Sequence, residues 1–228
     1  MGMLVKGVWQ DVGYDTNAGE FLRNASVFRD HITVDGSSGF RAEAGRYHLY
    51  VSLACPWAHR TLIMRALKGL ENAISVSVVD PYMGTDGWSF GDRPDCTRDT
   101  INGATRLREI YVKAKGDYTG RVTVPALWDR KTATIVNNES AEIVRMLNRE
   151  FNAFASRDVS DLYPDSLRTQ IDRWNALIYP TVNNGVYRAG FATTQDKYEA
   201  AVQNLFETLH IIEEHLGRHR YLCGTRLT

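Results

Sequence analysis

Apolar and polar positions follow two regimes along the chain, with the change near residue 160. Residues 47–51 (YHLYV) alternate and carry β-favouring side chains, which predicts a strand. A turn of small residues, 52–55, leads to Pro56, which stands where a first helical residue would. Proline suits that position because its missing N–H has no partner in a helix anyway. Residues 58–70 carry Leu62, Ala66 and Leu70 at helical spacing, with Gly69 near the end. ISVSVV at 74–79 predicts another strand, and helical spacing returns over 104–115 through Leu107, Ile110 and Tyr111. Between them, residues 80–103 read as a long loop rich in Gly, Pro and Asp. A loop of that length inside a compact domain is usually functional, and Trp88 and Phe90 beside glycines favour that reading. RVTVPALW at 121–128 reads as a strand containing a proline, which strand interiors normally exclude. A short strand at 133–136 follows, and Asn138-Glu139-Ser140 then opens a helix with Ile143, Leu147 and Phe151 on one face.

Beyond a polar, irregular stretch at 152–164 the pattern is helical. It is clearest over 167–179 and 196–216, the latter with Val202, Leu205, Leu209, Ile212 and Leu216 in step. Residues 1–46 have no sustained period and read as an extended arm, whose Trp9, Phe21, Phe28 and Phe40 need cover. The expected organisation is therefore an arm at 1–46, an α/β domain at 47–152 and an all-α domain at 165–228.

Composition narrows the function without naming it. Lys+Arg and Asp+Glu number 27 each, so no net field steers a polyanion, which argues against a dedicated nucleic-acid or membrane-surface binder. No apolar run approaches the ~20 residues that span a bilayer. MGMLVKGVWQ lacks the apolar centre of a signal peptide. The cysteines, Cys55, Cys96 and Cys223, are odd in number and scattered, which fits neither a disulfide framework nor a zinc site. A reducing, cytoplasmic setting and no metal are the expectations.

The chemistry concentrates in SLACPWAH, where Cys55 lies between a strand and a helix start. The helix dipole and the unpartnered first-turn amides, those of Trp57 and Ala58 since Pro56 has none, stabilise the thiolate, the reactive form of the side chain. The dipole is worth up to ~2 kcal/mol, a little over one pKa unit. Ala58 occupies the position where a second cysteine would close a local disulfide, so an external thiol must resolve any intermediate on Cys55. A cis bond at Val124-Pro125 would turn the Val124 backbone outward to pair with an extended peptide. Glu139-Ser140 at a helix start suits an amino-acid head group, with carboxylate at the helix end and amine on Glu139. An ordinary helix cap is the plainer reading of that pair taken alone.

These three pieces stand in the order found in the thioredoxin-like half of a glutathione transferase. YVSLACPWAHR, DPYMGTDGWSF, GRVTVPALWD, NNESAEIVRM, YPTVNNGVYRAGFA and HRYLCG together resemble the glutathionyl-hydroquinone reductases, the Xi class of that superfamily. The simpler Omega class shares the Cys-Pro start without the later blocks. The resemblance implies an α/β thioredoxin-like N-terminal domain followed by an all-α C-terminal domain, and a homodimer. It implies a glutathione-dependent reaction without metal, in which Cys55 takes glutathione from a glutathionyl-hydroquinone and a second glutathione restores it. Trp88 and Arg121 would hold the glycine end of glutathione, with Arg108 a rival for the carboxylate. Val124 would bind the cysteinyl backbone, Glu139 and Ser140 the γ-glutamyl head. Tyr187 would face the hydroquinone; His59 has the weaker claim of a general base, and Cys96 and Cys223 have no assigned role. An Omega-like thioltransferase or dehydroascorbate reductase is the alternative activity, and an interaction module without turnover the alternative class. Thr228 has the look of a helix N-cap, so the expectation is a helical domain that continues past it and is incomplete in this chain.

Overall fold

The computed structural model describes residues 2–14 and 16–228, so Met1 and Asp15 of the expected arm lie outside the described residues. The chain divides into two compact units, one of residues 1–13 and 25–160, the other of residues 14–24 and 161–228.

Before residue 47 the strands are β1 (Met3–Val5), β2 (Val8–Gln10), β3 (Thr16–Asn17), β4 (Glu20–Phe21), β5 (Ile32–Thr33) and β6 (Phe40–Arg41). β7 (Tyr47–Ser52), α1 (Pro56–Lys68), β8 (Ile74–Val79), α2 (Leu107–Ala114), β9 (Gly120–Arg121), β10 (Ala126–Asp129), β11 (Thr134–Asn137) and α3 (Ser140–Arg149) follow. The central sheet of the first unit has the order β11-β10-β7-β8. β7 runs parallel to β8, from Tyr47 opposite Ile74 to Ser52 opposite Val79, and antiparallel to β10. All six residues of β7 are buried, as expected of a central strand covered on both faces. Leu49, Val51, Ile74, Leu127 and Trp128 from the sheet form one core with Ala58, Leu107, Ile110, Ile143, Leu147 and Phe151.

α1 ends in a left-handed Gly69 (φ 64°), whose amide donates to the Ala66 carbonyl while Leu70 N–H donates to that of Arg65. The buried face of α1 is Trp57, Ala58, Thr61 and Lys68, with Leu62 only partly buried, so the expected Leu62/Ala66/Leu70 stripe is displaced. Leu70 is fully buried but lies beyond the helix end.

The expected strand over 121–128 is also corrected. Gly120–Arg121 pairs with β1, and the central-sheet ladder begins only at Ala126, after Pro125. A proline has no N–H to give a ladder, so the strand starts behind it.

Residues 80–103 carry no named element, yet the segment is tied down. The Asp99 carboxylate accepts from Tyr50 Oη (3.0 Å) and from the amides of Ile101, Asn102 and Ala104. The arm segment around Phe28 covers the β11 side, where Phe28 and Asn138 exchange two bonds and Asn137 Nδ2 donates to the Asp30 carbonyl.

The second unit contains α4 (Arg168–Ile178), a π-helical turn (Tyr179–Asn183), α5 (Gly185–Gly190) and α6 (Gln195–Leu216). α5 and α6 pack together, and the buried residues of α6 are Ala201 and Thr208. Of the expected stripe, Val202, Leu205 and Ile212 are partly buried, while Leu209 is 38% and Leu216 42% exposed.

Candidate functional site

Cys55 is the N-cap residue of α1, with extended backbone (φ −98°, ψ 113°) and Pro56 directly behind it. The strand-to-helix turn is closed by the Cys55 amide donating to the Ser52 carbonyl at 3.2 Å, and the first helical bond runs from His59 N–H to the Cys55 carbonyl at 3.0 Å. The amides of Trp57 and Ala58 precede that bond, in the first turn where backbone donors face outward along the axis. The side chain of Cys55 makes no cap bond. Its thiol is half-buried and donates to the Val124 carbonyl at 3.4 Å. Val124-Pro125 is cis, as expected, so the two motifs 69 residues apart in sequence meet at one sulfur.

Glu139 caps α3, its Oε1 accepting from the Ala141 amide at 3.4 Å. Its own amide is held by Asn137 Oδ1 at 2.7 Å, and its Oε2 accepts from Ser26 Oγ at 3.3 Å. Ser140, the first residue of α3, is buried, and its hydroxyl accepts from Arg60 Nη1 at 3.3 Å. Asn138 Nδ2 donates to Tyr111 Oη and Thr123 Oγ1, each at 3.2 Å, which ties the turn before α3 to the segment before the cis-proline.

Trp88 is partly buried against the core, and its carbonyl receives the Leu107 amide at 3.0 Å, so the start of α2 fixes its backbone. The loop just before it is held by Trp9 Nε1, donating to the Thr85 carbonyl (3.0 Å), and by Arg108, paired with Asp86 Oδ1 (3.0 Å) beneath the Trp9 ring. The Arg121 guanidinium is engaged by the arm: Nη1 donates to the Val12 carbonyl at 2.7 Å and Nη2 to that of Gly13. Both arginines expected to compete for a carboxylate thus have protein partners in this structure. His59 is exposed, and among the described residues no disulfide forms and no group of three or more His, Cys, Asp or Glu is arranged to hold a metal ion.

Tyr187 belongs to the second unit, on α5. Its ring stacks with Phe21 and Phe191, each 6.3 Å away between centroids, and the Arg23 guanidinium lies 4.7 Å over its face. Arg23 Nε is anchored on Asn184 Oδ1 at 2.8 Å, which gives the NNGVY motif a structural partner within residues 14–24.

Sequence reasoning missed Ser26 and Arg60, the side chains that hold Glu139 and Ser140. Ser26 is 113 residues from Glu139, and no local pattern flags it. Arg60 was visible only as the last residue of CPWAHR.

The chain is also similar in sequence and fold to known proteins. The family model for the glutathione S-transferase N-terminal domain matches residues 54–150. The glutathionyl-hydroquinone reductase YqjG of Escherichia coli (strain K12) is 56% identical over 237 residues, spanning all of this chain and 72% of the relative. PcpF of Sphingobium chlorophenolicum, another glutathionyl-hydroquinone reductase, is 53% identical over 230 residues, again with all of this chain and 72% of the relative. The solved glutathione-bound structure of YqjG matches all of this chain and 70% of its own with a TM-score of 0.90 at 52% identity. A Xi-class glutathione transferase from Natrialba magadii matches all of this chain and 69% of its own with a TM-score of 0.93 at 52% identity. No helix among the described residues is long and apolar enough to cross a membrane.

Proposed function

Because the chain belongs to the glutathionyl-hydroquinone reductases of the Xi-class glutathione transferases, we propose that it reduces glutathionyl-hydroquinones with glutathione through a mixed disulfide on Cys55. The observation that carries the chemistry is the half-buried Cys55 thiol at the start of α1, 3.4 Å from the carbonyl of Val124.

In the first step the Cys55 thiolate attacks the sulfur of the glutathionyl-hydroquinone. An S–S bond forms and the aryl C–S bond breaks. The electron pair of that bond goes to the ring carbon, which takes a proton, so the hydroquinone leaves reduced by two electrons and the two sulfurs are oxidised to a disulfide. In the second step the thiolate of another glutathione attacks the glutathionyl sulfur, releasing oxidised glutathione and restoring Cys55. The positive end of α1 stabilises the thiolate both as nucleophile and as leaving group.

Glutathione would lie extended beside Val124, whose backbone would pair with its cysteinyl residue. Glu139, an acceptor-only anion, would take the γ-glutamyl ammonium, while Ser140 and the α3 start would take the α-carboxylate. Trp88 and Arg121 would hold the glycine end, and Tyr187 would contact the hydroquinone. On the family resemblance the reading extends to a cytoplasmic homodimer.

The test is hydroquinone release from a glutathionyl-hydroquinone in the presence of glutathione. Cys55→Ala is expected to lose at least about 10³-fold, since it removes the only atom that takes the glutathionyl group. Incubation with oxidised glutathione should add one glutathionyl group, mapped by mass spectrometry to Cys55. Turnover unchanged in Cys55→Ala overturns the reading. A faster rate on a simple mixed disulfide than on the aryl thioether would move the assignment to an Omega-like thioltransferase.

A further inference from the structure

The pair Glu139-Ser140 does not stand alone in the first unit; one side chain from α1 and one from the arm hold it in place. Arg60 lies on the same helix that presents Cys55, and its Nη1 donates to Ser140 Oγ at 3.3 Å. A hydroxyl has one proton and two lone pairs. With the cation occupying a lone pair, the proton of Ser140 is turned away from Arg60, free to be given to an anion at the α3 start. A charged donor also strengthens the hydroxyl as a donor in its turn, because bonds in a chain polarise one another.

Ser26 acts on the other member of the pair. Its hydroxyl, which also faces the Asn138 carbonyl at 3.4 Å, reaches Glu139 Oε2 at 3.3 Å, while the Ala141 amide reaches Oε1 at 3.4 Å, so each carboxylate oxygen has a donor beside it. The arm that carries Ser26 is stitched to the same turn: Phe28 N–H donates to Asn138 Oδ1 (3.2 Å), Asn138 N–H to the Phe28 carbonyl (3.1 Å) and Arg29 Nε to Glu142 Oε2 (2.8 Å).

We propose that Arg60 and Ser26 are positioning residues for recognition of the γ-glutamyl group, Arg60 by aiming the Ser140 hydroxyl and Ser26 by orienting the Glu139 carboxylate. The assignment rests on the reading of Glu139-Ser140 as the γ-glutamyl site. It explains why the arm and α1 converge on Glu139, whose cap bond to Ala141 needs neither of them, and on its neighbour Ser140.

Two substrates separate recognition from general integrity: a glutathionyl-hydroquinone, and the corresponding cysteinylglycyl adduct, which has the same reacting sulfur and no γ-glutamyl group. The preference is the ratio of kcat/KM on the first to that on the second. Arg60→Gln is expected to lower the preference about tenfold, and Ser26→Ala about threefold, with little change on the cysteinylglycyl adduct. Arg60→Lys, which keeps a cation, should retain more of the preference than Arg60→Gln, and melting curves taken alongside identify any variant that fails to fold. Ser26→Ala removes a single half-buried hydroxyl and supplies the test should Arg60→Gln not fold. A preference unchanged in both variants, or an equal loss on both adducts, overturns the proposal. A wild-type protein that does not discriminate between the adducts instead removes the γ-glutamyl reading of Glu139-Ser140, and the positioning role with it.

Discussion

His48 sits within β7 with its ring bonded on both sides, Nδ1 to Ser75 Oγ at 2.7 Å and Nε2 to Ser77 Oγ at 2.9 Å. Burial, reinforced by the nearby Arg130, pushes its pKa down to about 4 from the ordinary 6.5. The imidazole is thus neutral in the fold, and between those two values the unfolded chain binds the proton that the folded one refuses. Stability from this residue is complete above about pH 6.5 and declines as pH falls toward 4. Denaturant curves at pH 7 and pH 5 should differ by about 2 kcal/mol on this account, and His48→Gln should flatten that difference. An equal slope in the variant would mean that other groups dominate. Nothing in YHLYV announced a buried polar residue with two serine partners, because the serines come from the neighbouring strand. Cys55 was legible for the opposite reason: strand, turn, thiol, proline and helix are consecutive, so the chain alone puts the sulfur at a helix start. Ser26 and Arg60 act across 113 and 80 residues respectively, and such pairs exist only after folding.

At the scale of elements, boundaries followed local chemistry closely where a residue dictates its own backbone. Gly69 ends α1 in the left-handed region, and a Cβ there would stand 2.2 Å from Ser156 Oγ. Gly69→Ala should therefore cost about 1–2 kcal/mol in urea unfolding, with the activity of folded protein retained; no loss would mean that the turn relaxes freely. ISVSVV became β8 over the expected residues, and Ile143, Leu147 and Phe151 form the fully buried face of α3 and its end. The misreadings have a common origin. An apolar stripe says which face wants cover and not which neighbour supplies it, so in α6 Ala201 and Thr208 are fully covered while Val202, Leu205 and Ile212 are covered only in part. RVTVPALW looked like one strand because β-propensity is blind to pairing; Arg121 pairs with β1, and Pro125 postpones the central ladder to Ala126.

For the whole molecule, the balance of charge makes a kinetic prediction. With 27 cationic and 27 anionic side chains there is no net field to draw in anionic glutathione, so kcat/KM should change less than about threefold between 20 and 200 mM salt. A steep decline would reveal a strong local field at the glutathione site. The sequence by itself determined the order of the main elements from Tyr47 to the helix after Glu139, the change from α/β to helix, the thiol at a helix start and the residue blocks that mark the family, because each is written in near neighbours along the chain; the six short strands before Tyr47 were not legible in it. Tertiary structure alone decided that the sulfur meets the carbonyl of Val124, that the arm divides between the two units and grips the start of α3, and that Arg121 and Arg108 already have partners. The physical reason is that a hydrogen bond forms between groups within about 3 Å of each other in space, whatever their separation along the chain.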